Sequence, residues 1–364
     1  MEQILRKSME AIRPLDEAAM EAARKRQMAL AKPPGSLGRL EDLSVQLAGI
    51  TGQVHNTVNR QHLLVFAADN GVVEEGVSSA PQSVTLMQTV NLTRAKTGAS
   101  VLAKHFGCGI TVCDVGVNAV IKEPAVLNRK IAFGTQNMTK GPAMTRQQAV
   151  QAILTGLELA KETPADVLGI GEMGIGNTTT SSAVLSVILN VEPEKVTGRG
   201  GGVTDEGFRK KKAAIQKAIA VNQPNPEDVV DVLAKVGGFD IAAMCGAFLG
   251  CALTRRPVVI DGFISAVAAL CAVRLCPDVR GFLVPSHASF EIGYCLAMEE
   301  MGLMPIFQLG MRLGEGSGCP LAFQVLSAAC AILNDMATFD QAGIDDGYLE
   351  EIRQGDKFSV EAAT

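Results

Sequence analysis

From about residue 62 onward the chain alternates short apolar, β-branched runs with helical segments, and that rhythm leaves few folds open to it. The runs are His62 to Ala68, Gly109 to Val115, Asp166 to Gly171, Pro257 to Asp261, Gly281 to Pro285 and Met304 to Leu309. Parallel strands covered on both faces read as nearly continuous apolar runs, and the helices between them supply the crossovers that parallel pairing needs. The pattern predicts an α/β fold built on a six-stranded, mainly parallel sheet flanked by helices. Each run ends in a polar or glycine-rich stretch: AADNG, CDVG, GIGEMGIGN, VIDG, VPSH and QLGMRLGEGSG. Ligands of open α/β sheets bind beyond the carboxyl ends of the strands, so chemistry is expected at these endings.

Helices are predicted at Arg209 to Val221, which is cationic and amphipathic, at Pro226 to Val236, and at the nearly all-apolar Pro320 to Met336. Met1 to Leu30 carries a charged helical pattern without strand signals, and the tail beyond Asp335 is polar and helix-like. The two ends are expected to pack as a small helical domain, residues 1–30 plus 337–364, beside a large domain of residues 31–336. No internal repeat, low-complexity tract or long linker breaks the pattern.

With 364 residues, 47% of them hydrophobic, the chain can bury a large core. A formal charge of -5, with no basic cluster beyond Arg209 to Lys212, argues against a nucleic-acid partner. An aromatic content of 4% without tryptophan argues against base-stacking platforms. Met1 to Arg13 has no apolar core of the signal-peptide kind, so a cytoplasmic location is expected. Ile241 to Leu253, the notable apolar run, falls short of the roughly 20 residues that cross a bilayer, and no membrane partner is expected. The nine cysteines never form CxxC and sit mostly in apolar stretches, the usage of reduced core thiols.

Three glycine-rich segments could carry chemistry. Gly169 to Thr180, GIGEMGIGNTTT, follows a strand and opens a helix, where free backbone N–H groups and the dipole favour an anion. Gly169, Gly171 and Gly174 also satisfy the dinucleotide fingerprint GxGxxG, but mid-chain, with no strand-ending acid about 20 residues on and with Glu172 facing any pyrophosphate. The structural alternative is a glycine turn that lets helix and strand pack. Thr197 to Thr204, TGRGGGVT, precedes the helix of Arg209, Lys210, Lys211 and Lys212, and backbone amides plus a lysine suit a phosphate monoester. A solvated helix face is the alternative for those lysines. In Leu313 to Gly318, LGEGSG, Glu315 stands between glycines and can project into the crevice, or else complement the dipole of the helix near Pro320. Asp69, Asp261 and His287 also lie at strand ends. The scattered histidines give no metal spacing, so neither a catalytic metal nor a cofactor is expected, and without GxSxG a serine nucleophile is unsupported.

Taken together, KPPGSLGRLE at Lys32 to Glu41, AADNGVVEEGVSSAPQSVT at Ala67 to Thr85, GIGEMGIGNTTT, KVGGFD at Lys235 to Asp240, VVIDGF at Val258 to Phe263, PSH at Pro285 to His287 and MRLGEGSG at Met311 to Gly318 resemble the nicotinate-nucleotide:dimethylbenzimidazole phosphoribosyltransferase family. The resemblance runs from about residue 10 to 340. It implies a homodimer, a Rossmann-like parallel sheet in the large domain and a helical domain built from both chain ends. It implies nicotinate mononucleotide and a benzimidazole-type base as substrates, and Glu315 as general base. Glu172 and Lys211 are implied near the phosphoribosyl group. Gly174, Asn177, Thr178 and Gly200 would meet phosphate or ribose, and Gln88, Leu313 and Ser289 would line the base and nucleotide pocket. Ala80, before Pro81, stands where the family carries a serine at the benzimidazole pocket, which puts the preferred base in question.

Three other functions remain open on the sequence. A phosphoribosyl-pyrophosphate enzyme usually has paired acids after a strand, where VVIDG offers one. A nicotinamide-dependent oxidoreductase would use GIGEMG, and a non-catalytic nucleotide- or base-binding protein would have little use for Glu315.

Overall fold

The computed structural model describes residues 1–349; the part of the expected helical domain at 350–364 lies outside the described residues. Six strands form one sheet: β1 (Gln61–Ala68), β2 (Gly109–Gly116), β3 (Val126–Asn128), β4 (Val167–Met173), β5 (Val258–Ile260) and β6 (Leu283–Pro285). All pairings are parallel and the order is β3-β2-β1-β4-β5-β6, the arrangement of the doubly wound nucleotide-binding folds. The order reverses between β1 and β4, and a crevice opens at such a switch point beyond the carboxyl ends.

Two strand assignments differ from the sequence pattern. Met304 to Leu309 is not a sheet strand; it touches the end of β6 through a single parallel bridge between His287 and Phe307. Met304 is 66% and Leu309 58% exposed, so the run lacks the two-sided cover that a strand of a parallel sheet requires. The sixth strand is instead the short edge strand β3, whose three residues lie in a polar stretch too short to show a period.

The expected helices form as Asp205–Asn222, Val229–Val236 and Cys319–Asp335. Phe239–Leu253 is buried along almost its whole length, as its all-round apolar sequence demands. It packs on Arg146–Glu162 so closely that a methyl added at Gly156 would lie 1.7 Å from the carbonyl oxygen of Ala243, and one at Gly246 1.7 Å from that of Ile153. These two glycines bring the backbones together.

By its internal contacts the chain divides into two compact units. One takes Met1–Arg13 and Arg60–Ala322 and contains the sheet. Its first segment belongs there because Arg146 binds Glu2 at 2.7 Å and Leu5 and Ile12 are buried. The other takes Pro14–Asn59 and, among the described residues, the chain from Phe323 to Leu349. Its core gathers Ala19, Ala23, Val45, Ala48 and Leu333, and Arg26 donates to the carbonyls of Leu333 at 2.6 Å and Asn334 at 3.0 Å, closing a helix end.

Gly246→Ala is expected to cost about 1–3 kcal/mol through overpacking, while Gly141→Ala, with open space around its Cβ, stays within about 0.5 kcal/mol of the parent. Urea unfolding midpoints check both, and equal midpoints would refute the close-approach account.

Candidate active site

Beyond the carboxyl ends of β1, β4, β5 and β6 lies a cavity of about 500 Å³. It collects Gln88, Glu172, Gly174, Asn177, Thr178 and Gly200 with Ser289, Leu313 and Glu315. Lys211 stands apart from this set, behind the wall. The parallel topology explains the convergence, since every strand delivers its following loop to the same edge of the sheet.

Glu315 owes its place to backbone geometry. It has φ 64° between Gly314 at 83° and Gly316 at 84°, so the chain turns through three left-handed residues in succession. Only glycine adopts that conformation freely, and Glu315 bears the steric cost. The turn rests on β4: a Cβ at Gly171 would lie 2.6 Å from the carbonyl oxygen of Glu315, and one at Gly316 would lie 2.5 Å from Cδ1 of Leu63. The glycine pattern of GIGEMG therefore serves, at Gly171, the close packing of two backbones. Glu315 is 5% exposed, and its Oε2 accepts the backbone N–H of Ala99 at 3.1 Å. Ala99 is in the first turn of the helix Gly98–His105, so the helix whose dipole meets this carboxylate is not the one near Pro320. Among the described residues Oε2 alone of its two carboxylate oxygens has a hydrogen bond.

A second carboxyl group sits beneath it. Glu172, near the end of β4, accepts Asn177 Nδ2 at 2.5 Å and the backbone N–H of Glu315 at 3.3 Å. Asn177 also donates to Asp240 at 3.0 Å. Burial pushes the Glu172 carboxyl up to about 8, Asp261 up to about 7 and Asp240 up to about 6; the ionised state is costly where little water reaches. Clustered, shifted acids in a crevice are a mark of functional sites. At neutral pH Glu172 carries its proton, so it does not repel an anion bound nearby.

Beside Glu172 the helix Asn177–Leu189 starts at Gly176, whose φ of 92° turns the chain into it and whose N-cap position offers no capping side chain. Lys211 is 1% exposed and donates to Oγ1 of Thr178 at 2.8 Å. Burial pulls its ammonium down to about 8, against the attraction of Glu291. Gly200, with φ 59°, gives its N–H to Oε1 of Glu291 at 2.8 Å. Arg209 and Lys210 are exposed, so one lysine of the basic run faces inward. At the cavity's other side Leu313 is 58% exposed beside Ala80 and Gln88, whose Oε1 accepts Asn91 Nδ2 at 3.0 Å.

Sequence reasoning missed Asp240, Glu291, Arg199 and Arg312 as parts of the site. Asp240 lies within KVGGFD, and Arg199 and Arg312 stand inside the glycine-rich stretches, but nothing local separates an arginine that lines a cavity from one in solvent. His287 lines the cavity too, with its ring held neutral because burial pulls it down to about 4. Among the described residues no group of three or more His, Cys, Asp or Glu could hold a metal, and no helix is long and apolar enough to cross a membrane.

A doubly wound parallel sheet with an uncapped helix start beside buried carboxyls is the setting of a group-transfer enzyme, and the chain belongs to the phosphoribosyltransferase family, whose model matches residues 12–344. It is thus an enzyme of the pentosyl-transferring class. Within that class it is 47% identical over 355 residues to the nicotinate-nucleotide–dimethylbenzimidazole phosphoribosyltransferase of Clostridium tetani, covering 96% of this chain and 98% of the relative. The enzyme of the same name from Ruminiclostridium cellulolyticum is 51% identical over 341 residues, covering 93% and 97%. The fold is similar to the crystal structure of nicotinate-nucleotide–dimethylbenzimidazole phosphoribosyltransferase from Thermus thermophilus, with TM-score 0.86, 39% identity and coverage of 92% of this chain and 100% of that one.

The buried acids make stability depend on pH. In the folded chain Glu172 keeps its proton up to about 8, whereas the unfolded chain releases it near 4.5. The folded state therefore binds more protons between those values, and stability falls as pH rises through that window. Thermal melts should show Tm falling from pH 5 to 8 in the parent, and falling less in Glu172→Gln. Identical slopes would refute the burial account.

Proposed function

We propose that the enzyme transfers the phosphoribosyl group of nicotinate mononucleotide to 5,6-dimethylbenzimidazole or a related base, giving α-ribazole 5′-phosphate and nicotinate for the lower ligand of cobalamin. The observation that carries this reading is Glu315, a buried carboxylate with one oxygen engaged, lining the same cavity as the helix start at Asn177 and the glycine loop at Gly200. The donor's pyridinium leaves as nicotinate with its ring nitrogen neutral, so departure needs no acid. A ring nitrogen of the base attacks the anomeric carbon from the opposite face, which turns a β-linked donor into an α-linked product in one displacement. As it attacks, the other ring N–H becomes acidic, and Glu315 takes that proton. Glu172, protonated, lies near the ribose without charge repulsion. Gly174, Asn177, Thr178 and Gly200 meet phosphate or ribose, with Lys211 reaching them through Thr178. Gln88, Ser289 and Leu313 line the base side, where Ala80 leaves more room than a serine would.

The enzyme works as a cytoplasmic homodimer without nucleic-acid or membrane partners. Phe290 at 74%, Ile292 at 56%, Met304 at 66% and Leu309 at 58% exposure are large apolar side chains that a second copy would cover. A doubled mass by light scattering supports this; a monomer at micromolar concentration overturns it.

Glu315→Gln should lower turnover by about 10²- to 10⁴-fold, the usual range for a lost general base, with donor binding kept. Lys211→Ala should chiefly raise the donor KM, since the charge-assisted hydrogen bond that holds Thr178 toward the donor is lost. Steady-state assays of nicotinate release check both. Parent-like turnover in the first variant, or an unchanged donor KM in a folded second one, contradicts the assignment concerned.

A further inference from the structure

Asp261 follows β5 directly and is 2% exposed. Its two carboxylate oxygens each accept one backbone N–H from the turn that bears Glu315: Oδ2 from Gly316 at 3.0 Å and Oδ1 from Gly318 at 2.7 Å. The chain between is left-handed at Gly314, Glu315 and Gly316, a conformation that persists only where its surroundings over-determine it. Asp261 is itself anchored. Its N–H donates to Oγ of Ser265 at 3.2 Å, and that hydroxyl donates to the carbonyl of Ile170 in β4 at 3.0 Å. On its far side the Ser286 hydroxyl donates to the Asp261 carbonyl at 3.3 Å.

We infer that Asp261 is a positioning residue for Glu315: its carboxylate clasps the glycine turn from below and fixes where the Glu315 side chain enters the cavity. The inference rests on the reading of Glu315 as the base. A carboxylate suits this task because both oxygens only accept, so each can hold one N–H of the turn. An asparagine of the same shape must aim an NH₂ at one of those N–H groups, and donor facing donor pushes the turn away. A displacement of about 1 Å at a catalytic group can cost on the order of 10²-fold in rate.

A contact that merely stabilised the fold would lower activity independently of Glu315, and a double-mutant cycle separates the two cases. Asp261→Asn is expected to lower kcat by about 10²-fold with the donor KM within about twofold. Placed on Glu315→Gln it should cost at most about twofold more, because the group being positioned is already gone. Parent-like kcat in Asp261→Asn, or its full loss repeated in the double variant, overturns the inference. Parent-like kcat in Glu315→Gln instead overturns the base assignment, which the single variant shows by itself. If Asp261→Asn does not fold by circular dichroism, Ser265→Ala loosens the same anchor: a smaller loss that vanishes on Glu315→Gln supports the inference, and one that persists there overturns it.

Discussion

The active site depends on how closely two backbones approach, that of β4 at Gly171 and that of the turn at Glu315. A single added methyl at Gly171 would stand 2.6 Å from the Glu315 carbonyl oxygen, so a side chain there would lift the turn off the sheet. Because the turn lies flat on β4, its amides reach two acids: Glu172 takes the N–H of Glu315 and Asp261 takes those of Gly316 and Gly318. The same closeness puts the carboxylate of Glu315 on the first turn of the helix Gly98–His105. One contact thus sets the conformation, the hydrogen bonds and the electrostatic surroundings of Glu315.

Such a site is held against its own energetics. Several carboxyl groups are packed where little water reaches, and a left-handed glutamate adds on the order of 1–2 kcal/mol of strain. Burial resolves part of the conflict by leaving a proton on Glu172. In the proposed mechanism Glu315, held at a helix N-terminus, accepts a proton from an incoming base, while a neutral Glu172 tolerates a phosphorylated sugar beside it. Two glutamates in one cavity take opposite roles because their surroundings differ.

Much of this was legible in the chain. The alternation of apolar runs with helical stretches pointed to the parallel sheet, and the polar endings of those runs marked the crevice. β3 escaped notice because three residues carry no period, and Met304 to Leu309 passed for a strand because apolar character does not say whether a face is covered. The fingerprint at Gly169, Gly171 and Gly174 shows the limit of a local motif, for the demand on Gly171 comes from Glu315, far along the chain. Resemblance pointed to Lys211 within RKKK, whereas composition could not tell which lysine of the run turns inward. Partners distant in sequence, such as Ala99 for Glu315 and Asp240 for Asn177, leave no local trace.

In the proposed reaction Glu315 removes the ring hydrogen of the attacking base. The most direct test of this role compares 5,6-dimethylbenzimidazole with 5,6-dichlorobenzimidazole, whose substituents are similar in size but whose N–H is more acidic. The quantity to measure is the ratio of parent to Glu315→Gln turnover with each base. Since a more acidic N–H needs less help, the ratio should shrink severalfold with the dichloro base. An identical ratio for both bases would mean that Glu315 does something other than take the proton.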